Sequence, residues 1–455
     1  MKIKLAEEVK HLTLEELEEL YERYISGEKN QELMEEYGID AHPNKLVSLF
    51  PPVIHESLEC AYCALPLFYK RKSKSGSSYS MEYFCIECNH KEGHHYNRPL
   101  ECNCLPCSEK RAEAVRAKLA ADLEKISQEY NLDKKAMLSY LKLSFSHKCY
   151  LLSLFLMQSE SDLNHIKSLN NSGSAVDLSP TSDFDNEIIL KLHRDGAIAV
   201  DPSSPFSAFD SSDDFKSFYY RDVLWVVNVS LDGSNRLSLG ELFKLVYVEL
   251  RDGIQIEWEE DLKELVFRLA EEEVVTYLDV CLEQLQLPEA PKKTNEVIKE
   301  ILNEFSVSEI YYFIKKATEN AHLFYAKGKA ESRKHAVNTI PSKILYLATR
   351  ASNEGWDVYK YNRTYSTERS QLNIVLFDFV IGGGDDIAFY KSPEVLWNNE
   401  LYKMFDSSKS TKESSKDTSC VICGSVDIII KTDKNSLTLL CTKCGEQQQF
   451  YASKN

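Results

Sequence analysis

Nowhere in this 455-residue chain does an apolar run approach the ~18 residues that a membrane span needs. The opening stretch, "MKIKLAEEVKHLTLEELEEL", is charged throughout and lacks the apolar centre of a signal peptide. These absences give the expectation of a soluble, cytoplasmic protein without membrane contact. Positive charge is scarce as well: Lys and Arg number 54 against 71 Asp and Glu, a net charge of −17. So acidic a chain cannot coat nucleic acid over its whole surface, but one basic module can still touch it. Catalytic signatures are missing too. "VIGGGDDIAF" carries Gly382, Gly383 and Gly384 without the Lys-Ser/Thr of a phosphate loop or the spacing of a dinucleotide site, and reads as a plain turn. The carboxylates show no nuclease-like pairing.

What the chain does have is cysteine. Of 13, only Cys149 and Cys281 stand alone; the others fall in two clusters with C-x-x-C or C-x-C spacing. Without a secretion signal that spacing reads as metal sites and not as disulfides. Cys60, Cys63, Cys85 and Cys88 form one ligand set, with "ALPLFYKRKSKSGSSYSMEYF" supplying strand, loop and strand between the pairs. Cys102, Cys104 and Cys107 follow in "CNCLPC" and want a fourth ligand. "CNHKEGHHYN" offers His90, His94 and His95; a site of three cysteines and one histidine, closed by His94 or His95, satisfies the count. Interleaved ligation and a single ion with spare thiols stay open. At the other end Cys420, Cys423, Cys441 and Cys444 flank two short apolar strands around "DKNS", with Gly424 and Gly445 after the pairs. Four thiolates leave no open position, so such an ion is structural. About three zinc ions are expected.

These modules resemble the zinc ribbons of transcription and replication proteins; at the C-terminus the resemblance covers some 30 residues. It implies a fold and a structural zinc, not a partner. "SVSEIYYFIKKATENAHLFY", "KHAVNTI" and "GWDVYKYNR" look similar to bacterial proteins of unknown function, over about 70 residues, and imply no activity.

Periodicity divides the rest. Residues 1–55 read as three short helices, a helix-turn-helix-like unit, with a helical docking bundle as the alternative. Residues 56–108 form a double zinc module, and 109–134 a connector helix with Val115, Leu119, Leu123, Ile126 and Tyr130 on one face. The span 135–405 is a mainly α, acidic domain whose strand candidates are "AIAVDP" and "DVLWVVNVS". Residues 406–419 make a flexible linker to the ribbon at 420–455. The fold class is multidomain, mainly α with a small β component.

One basic cluster interrupts the acidity. Lys70, Arg71, Lys72 and Lys74 lie between the first two cysteine pairs, where a finger tip can neutralise phosphates; Tyr69, Tyr79 and Tyr83 can stack on bases or pack the finger. A solvated tip or a protein-docking patch would look the same. Glu319, Asn320 and His322 share a helix, with His335, Asn338 and Arg363 downstream, but such residues more often brace helices than catalyse, and no catalytic residue is assigned. The expected function is a zinc-binding, nucleic-acid-associated adaptor in bacterial regulation, mobile elements or phage defence, its acidic central domain engaging proteins. The alternatives are a zinc-stabilised protein-interaction scaffold without nucleic-acid contact, and an enzyme with a central-domain site.

Overall fold

Thr13 starts the first helix by a reciprocal cap with Glu16, and Gly27, at φ 108°, ends it. Between them α1 (Leu14–Ser26) turns Leu17, Leu20 and Tyr24 inward and leaves Leu14 exposed. With α2 (Asn30–Glu36) and a single-turn α3 (Leu46–Leu49) it closes a small core around Leu33, Leu46 and Phe50. The computed structural model describes residues 5–74, 80–95, 98–157, 165–407, 428–433, 436–441 and 447–451. The chain divides into two compact units, Met1–Glu124 and Lys125–Asn455, with the boundary inside the stretch expected to be the connector helix.

The first unit continues in five antiparallel strands in sequential order: β1 (Val53–Glu59), β2 (Pro66–Tyr69), β3 (Ser80–Phe84), β4 (Lys91–His95) and β5 (Arg98–Pro99). Register places Val53 opposite Tyr69, Tyr69 opposite Tyr83 and Tyr83 opposite Glu92. Gly93 is required on β4: at φ +131° a Cβ would sit 1.9 Å from the Met81 carbonyl oxygen. The helix α4 (Leu105–Glu129) follows.

The second unit is mainly helical. Its helices are α5 (Phe145–Leu156), α6 (Ser182–Arg194), α7 (Leu239–Arg251), α8 (Glu259–Gln284), α9 (Lys293–Leu302), α10 (Val307–Ala326), α11 (Arg333–Val337) and α12 (Ile340–Glu354). Ser306 and Glu309 cap α10 reciprocally. Four short strands make two pairs: β6 (Leu138–Ser139) runs parallel to β9 (Val229–Ser230), and β7 (Ile198–Val200) antiparallel to β8 (Trp225–Val227). "DVLWVVNVS" therefore serves two sheets. Its break falls at Asn228, whose side-chain amide donates to Ala136 O and Gly196 O, both at 2.9 Å.

Two apolar cores fill this unit, and α8 threads both. Leu262, Leu265 and Leu269 belong to the first, Val274, Tyr277 and Leu278 to the second. At the crossing Glu271, Glu272 and Glu273 are all buried. Beyond Ser407 the described backbone is a three-stranded antiparallel sheet: β10 (Ile428–Asp433), β11 (Ser436–Cys441) and β12 (Gln447–Tyr451). Among the described residues no helix is long and apolar enough to cross a membrane.

Candidate metal centres

The two C-x-x-C turns of the first unit are built alike. Cys60 N donates to Leu65 O at 2.7 Å and Ala64 N to Cys60 O at 2.9 Å; Cys85 N donates to His90 O at 2.7 Å and Asn89 N to Cys85 O at 3.0 Å. Each turn closes through a left-handed residue, Ala64 at φ 51° and Asn89 at φ 56°. Here these residues take the conformation that favours Gly. The turns bring the sulfurs of Cys60, Cys63, Cys85 and Cys88 within 4.8 Å of one another. Cys60 and Cys88 sulfurs stand 3.5 Å apart. A tetrahedral ion with metal–sulfur bonds of about 2.3 Å separates its thiolates by about 3.8 Å, so the four donors fit one ion.

The second group joins His90 to Cys102, Cys104 and Cys107. His90 Nδ1 lies 3.3 Å from the Cys107 sulfur and 3.6 Å from that of Cys104. Its Nε2 meets Glu92 Oε1 at 2.9 Å, which fixes the proton on Nε2 and turns the Nδ1 lone pair toward the thiols. Burial is the largest influence on the Cys102 thiol and opposes its thiolate, yet the amides of Cys104 and Lys91 together with the Cys104 and His90 side chains outweigh it, and its pKa falls to about 6. Tyr62, inside the first knuckle, links the two groups: its hydroxyl is 3.3 Å from the Cys107 sulfur and its ring stands edge-on to His90.

Here the expected histidine changes. The structure brings neither His94 nor His95 to the thiols; both lie exposed on β4, opposite Pro99 and Arg98. His90 follows the Asn89 turn directly, whereas four residues along a strand carry a side chain roughly 13 Å away. Glu92→Gln should weaken metal binding at this second group about 10–100-fold and leave the four-cysteine group unchanged. Competition with a chromophoric chelator measures both. Of the C-terminal set, Cys420, Cys423 and Cys444 lie outside the described residues, and Cys441 ends β11.

The basic cluster divides in two. Arg71 forms an ion pair with Glu18 through both carboxylate oxygens, one contact at 2.8 Å, and its guanidinium lies 4.5 Å from the centre of the Tyr21 ring. The Arg71 hydrogen bond holds the Glu18 carboxyl below its ordinary pKa. Lys74 sits 4.6 Å above the Tyr24 ring and donates to Asn30 Oδ1 at 3.0 Å and to Glu28 O. Lys70 and Lys72 are exposed. In the five-stranded sheet His55, Tyr69 and Tyr83 cluster with ring centres 5.1–6.4 Å apart.

In the second unit Glu319, His322 and Arg363 are not gathered in one pocket. Glu319 faces Lys315 and Lys316 on its own helix, and Asn320 donates to Lys316 O. Arg363 instead reaches Glu273 at 2.8 Å and Asp385 at 2.9 Å, beside a polar cavity of about 220 Å³ that Tyr311, Thr367 and Arg369 also line. The three glycines are a turn, all at positive φ, that leads into the short helix bearing Asp385.

Compared with known proteins, the chain matches no family model, no curated protein and no solved structure.

Proposed function

We propose that this protein is a zinc-stapled protein-interaction scaffold. One donor set of four cysteines and one of three cysteines with a histidine, neither with a position left open, suit structural zinc. With the C-terminal four cysteines the expected load is about three ions per chain. The observation that carries the scaffold reading is the engagement of Arg71 and Lys74 by Glu18, Tyr21, Tyr24 and Asn30. Two of the four charges that a phosphate-gripping finger needs are used to hold the helical unit on the metal sheet. The single-turn α3 supports the same reading, because it offers no helix long enough to lie along a groove. The acidic second unit supplies the larger surface for protein partners.

The test is binding of single- and double-stranded DNA and RNA to the zinc-loaded chain at low salt. The scaffold reading expects none that is salt-dependent. Binding that falls steeply with salt, and is lost on Lys70→Ser/Lys72→Ser, would replace it with the nucleic-acid adaptor. One observation favours that second reading: exposed Lys70 and Lys72 closely follow Tyr69 in the chain, whose half-buried ring clusters with His55 and Tyr83, a combination suited to stacking bases. Arg71→Ala separates the two. It should loosen α1 by about 1 kcal/mol, since a half-exposed ion pair and one cation–ring contact are each worth up to about that much. Hydrogen exchange of the α1 amides reads this directly.

A further inference from the structure

The start of α5 opens onto a cleft of about 950 Å³, lined among others by Tyr140, Ser144, His147, Lys191 and Trp258. Ser144 is the N-cap, and its Oγ accepts from His147 N at 3.3 Å. The His147 ring reaches back. Its Nδ1 lies 3.3 Å from Ser144 N and 2.8 Å from Ser144 Oγ, and its Nε2 lies 2.9 Å from Asp195 Oδ2. An amide N–H can only donate, so Nδ1 is the unprotonated nitrogen and Nε2 carries the proton toward Asp195. The hydroxyl hydrogen of Ser144 is thereby directed at Nδ1. The result is a continuous hydroxyl–imidazole–carboxylate chain with its hydroxyl end at the cleft.

Capping alone does not require this set. Thr13–Glu16, Ser238–Glu241 and Ser306–Glu309 close the same motif with Glu in this protein, with no third group behind it in the motif. Nor does capping forbid reactivity, since the positive end of a 12-residue helix favours a developing alkoxide at its N-cap. Ser146 N is taken by Asp261 at 2.8 Å and His147 N by Ser144, which leaves Phe145 N–H as the first-turn amide that neither side chain uses.

We propose that Ser144 is the nucleophile and His147 the general base of a site that hydrolyses carboxylic esters, with Asp195 as the positioning residue. Ser144 Oγ bonds to the ester carbonyl carbon while its proton passes to His147 Nδ1. The carbon–alkoxy bond then breaks, and the leaving alkoxide takes that proton to depart as the alcohol. Water repeats the step on the acyl-serine, releasing the carboxylic acid and restoring the hydroxyl. The charged groups facing His147 are Asp195, Lys191, which shares the same Asp195 oxygen at 2.9 Å, and Asp261. Burial is the largest influence and pushes the imidazole below its usual pKa, so the base is neutral at neutral pH.

A fluorophosphonate probe tests this on the full chain: Oγ bonds to phosphorus and fluoride leaves. Mass spectrometry should find the adduct on Ser144, with a rate that rises as His147 loses its proton and a midpoint below the ordinary histidine value of about 6.5. Asp195→Asn keeps the cap and should slow labelling at least about tenfold with an unchanged melting temperature. Ser144→Asn keeps a capping acceptor and should abolish labelling. No adduct on Ser144, or an unaltered rate in Asp195→Asn, overturns the proposal. If Asp195→Asn melts early, His147→Gln decides: it keeps a capping-box side chain, and labelling of Ser144 at the parent rate removes His147 as the base.

Discussion

Chelating the metal from the full chain is expected to unfold the five-stranded sheet of the first unit while the two cores of the second stay folded. The reason is the size of what remains without metal. Around the four-cysteine group the buried apolar cluster is Cys60, Leu67 and Cys85 with partly buried neighbours, and Phe68 on β2 is the one large ring the sheet buries fully among the described residues. Burying one such side chain is worth about 1.5–3 kcal/mol, whereas a structural zinc contributes about 10–16 kcal/mol of apparent folding free energy in small zinc peptides. The sheet therefore depends on its ions. The helices α1–α3 have their own core and should keep part of their protection; α5–α12 bear no cysteine–histidine ligand group among the described residues. Hydrogen exchange before and after chelation should show β1–β4 amides losing protection while those of α8 and α10 do not. Elemental analysis should find at least two zinc ions per chain, and Cys102→Ser should release one of them. Protection of β1–β4 that survives complete metal removal would show that the thiol groups do not hold the sheet.

Much of this site was legible because ligand spacing is local. C-x-x-C fixes a knuckle within five residues, and the two thiol groups appear as the pairs predicted them. The histidine was not legible, because its choice depends on a left-handed Asn89 that sequence does not announce. The basic cluster was legible as charge only. Its partners Glu18, Tyr21 and Tyr24 lie some 50 residues upstream, and no periodicity connects them. Glu271, Glu272 and Glu273 are consecutive carboxylates in the sequence, yet all three are buried because α8 passes from one core to the other there. Ser144 and His147 are three residues apart, but only the fold brings in Asp195, 48 residues after His147.

Arg363→Ala or Glu273→Ala should lower stability by about 3–5 kcal/mol, the cost of leaving one member of a buried ion pair without its partner. Glu273 is 4% exposed, and both its carboxylate oxygens are bonded, one by Arg363 and the other by Asn373. Burial pushes its pKa up, and the two nearby arginines, Arg363 and Arg369, pull it back. Arg363 also grips both oxygens of Asp385, and Arg369 binds Asn373 at 2.7 Å and both oxygens of Asp378. The network ties α8, at the point where it leaves one core for the other, to the segment 363–385. Its loss should therefore do more than shift a midpoint. Urea unfolding of the alanine variants should broaden or split, as the cores around Leu265 and Leu278 begin to melt separately. Replacing both partners, Glu273→Met with Arg363→Met, removes the two charges together and should recover part of the stability that either single variant loses. A single-variant loss below about 1 kcal/mol with an unchanged slope would show that water, and not the pair, satisfies Glu273.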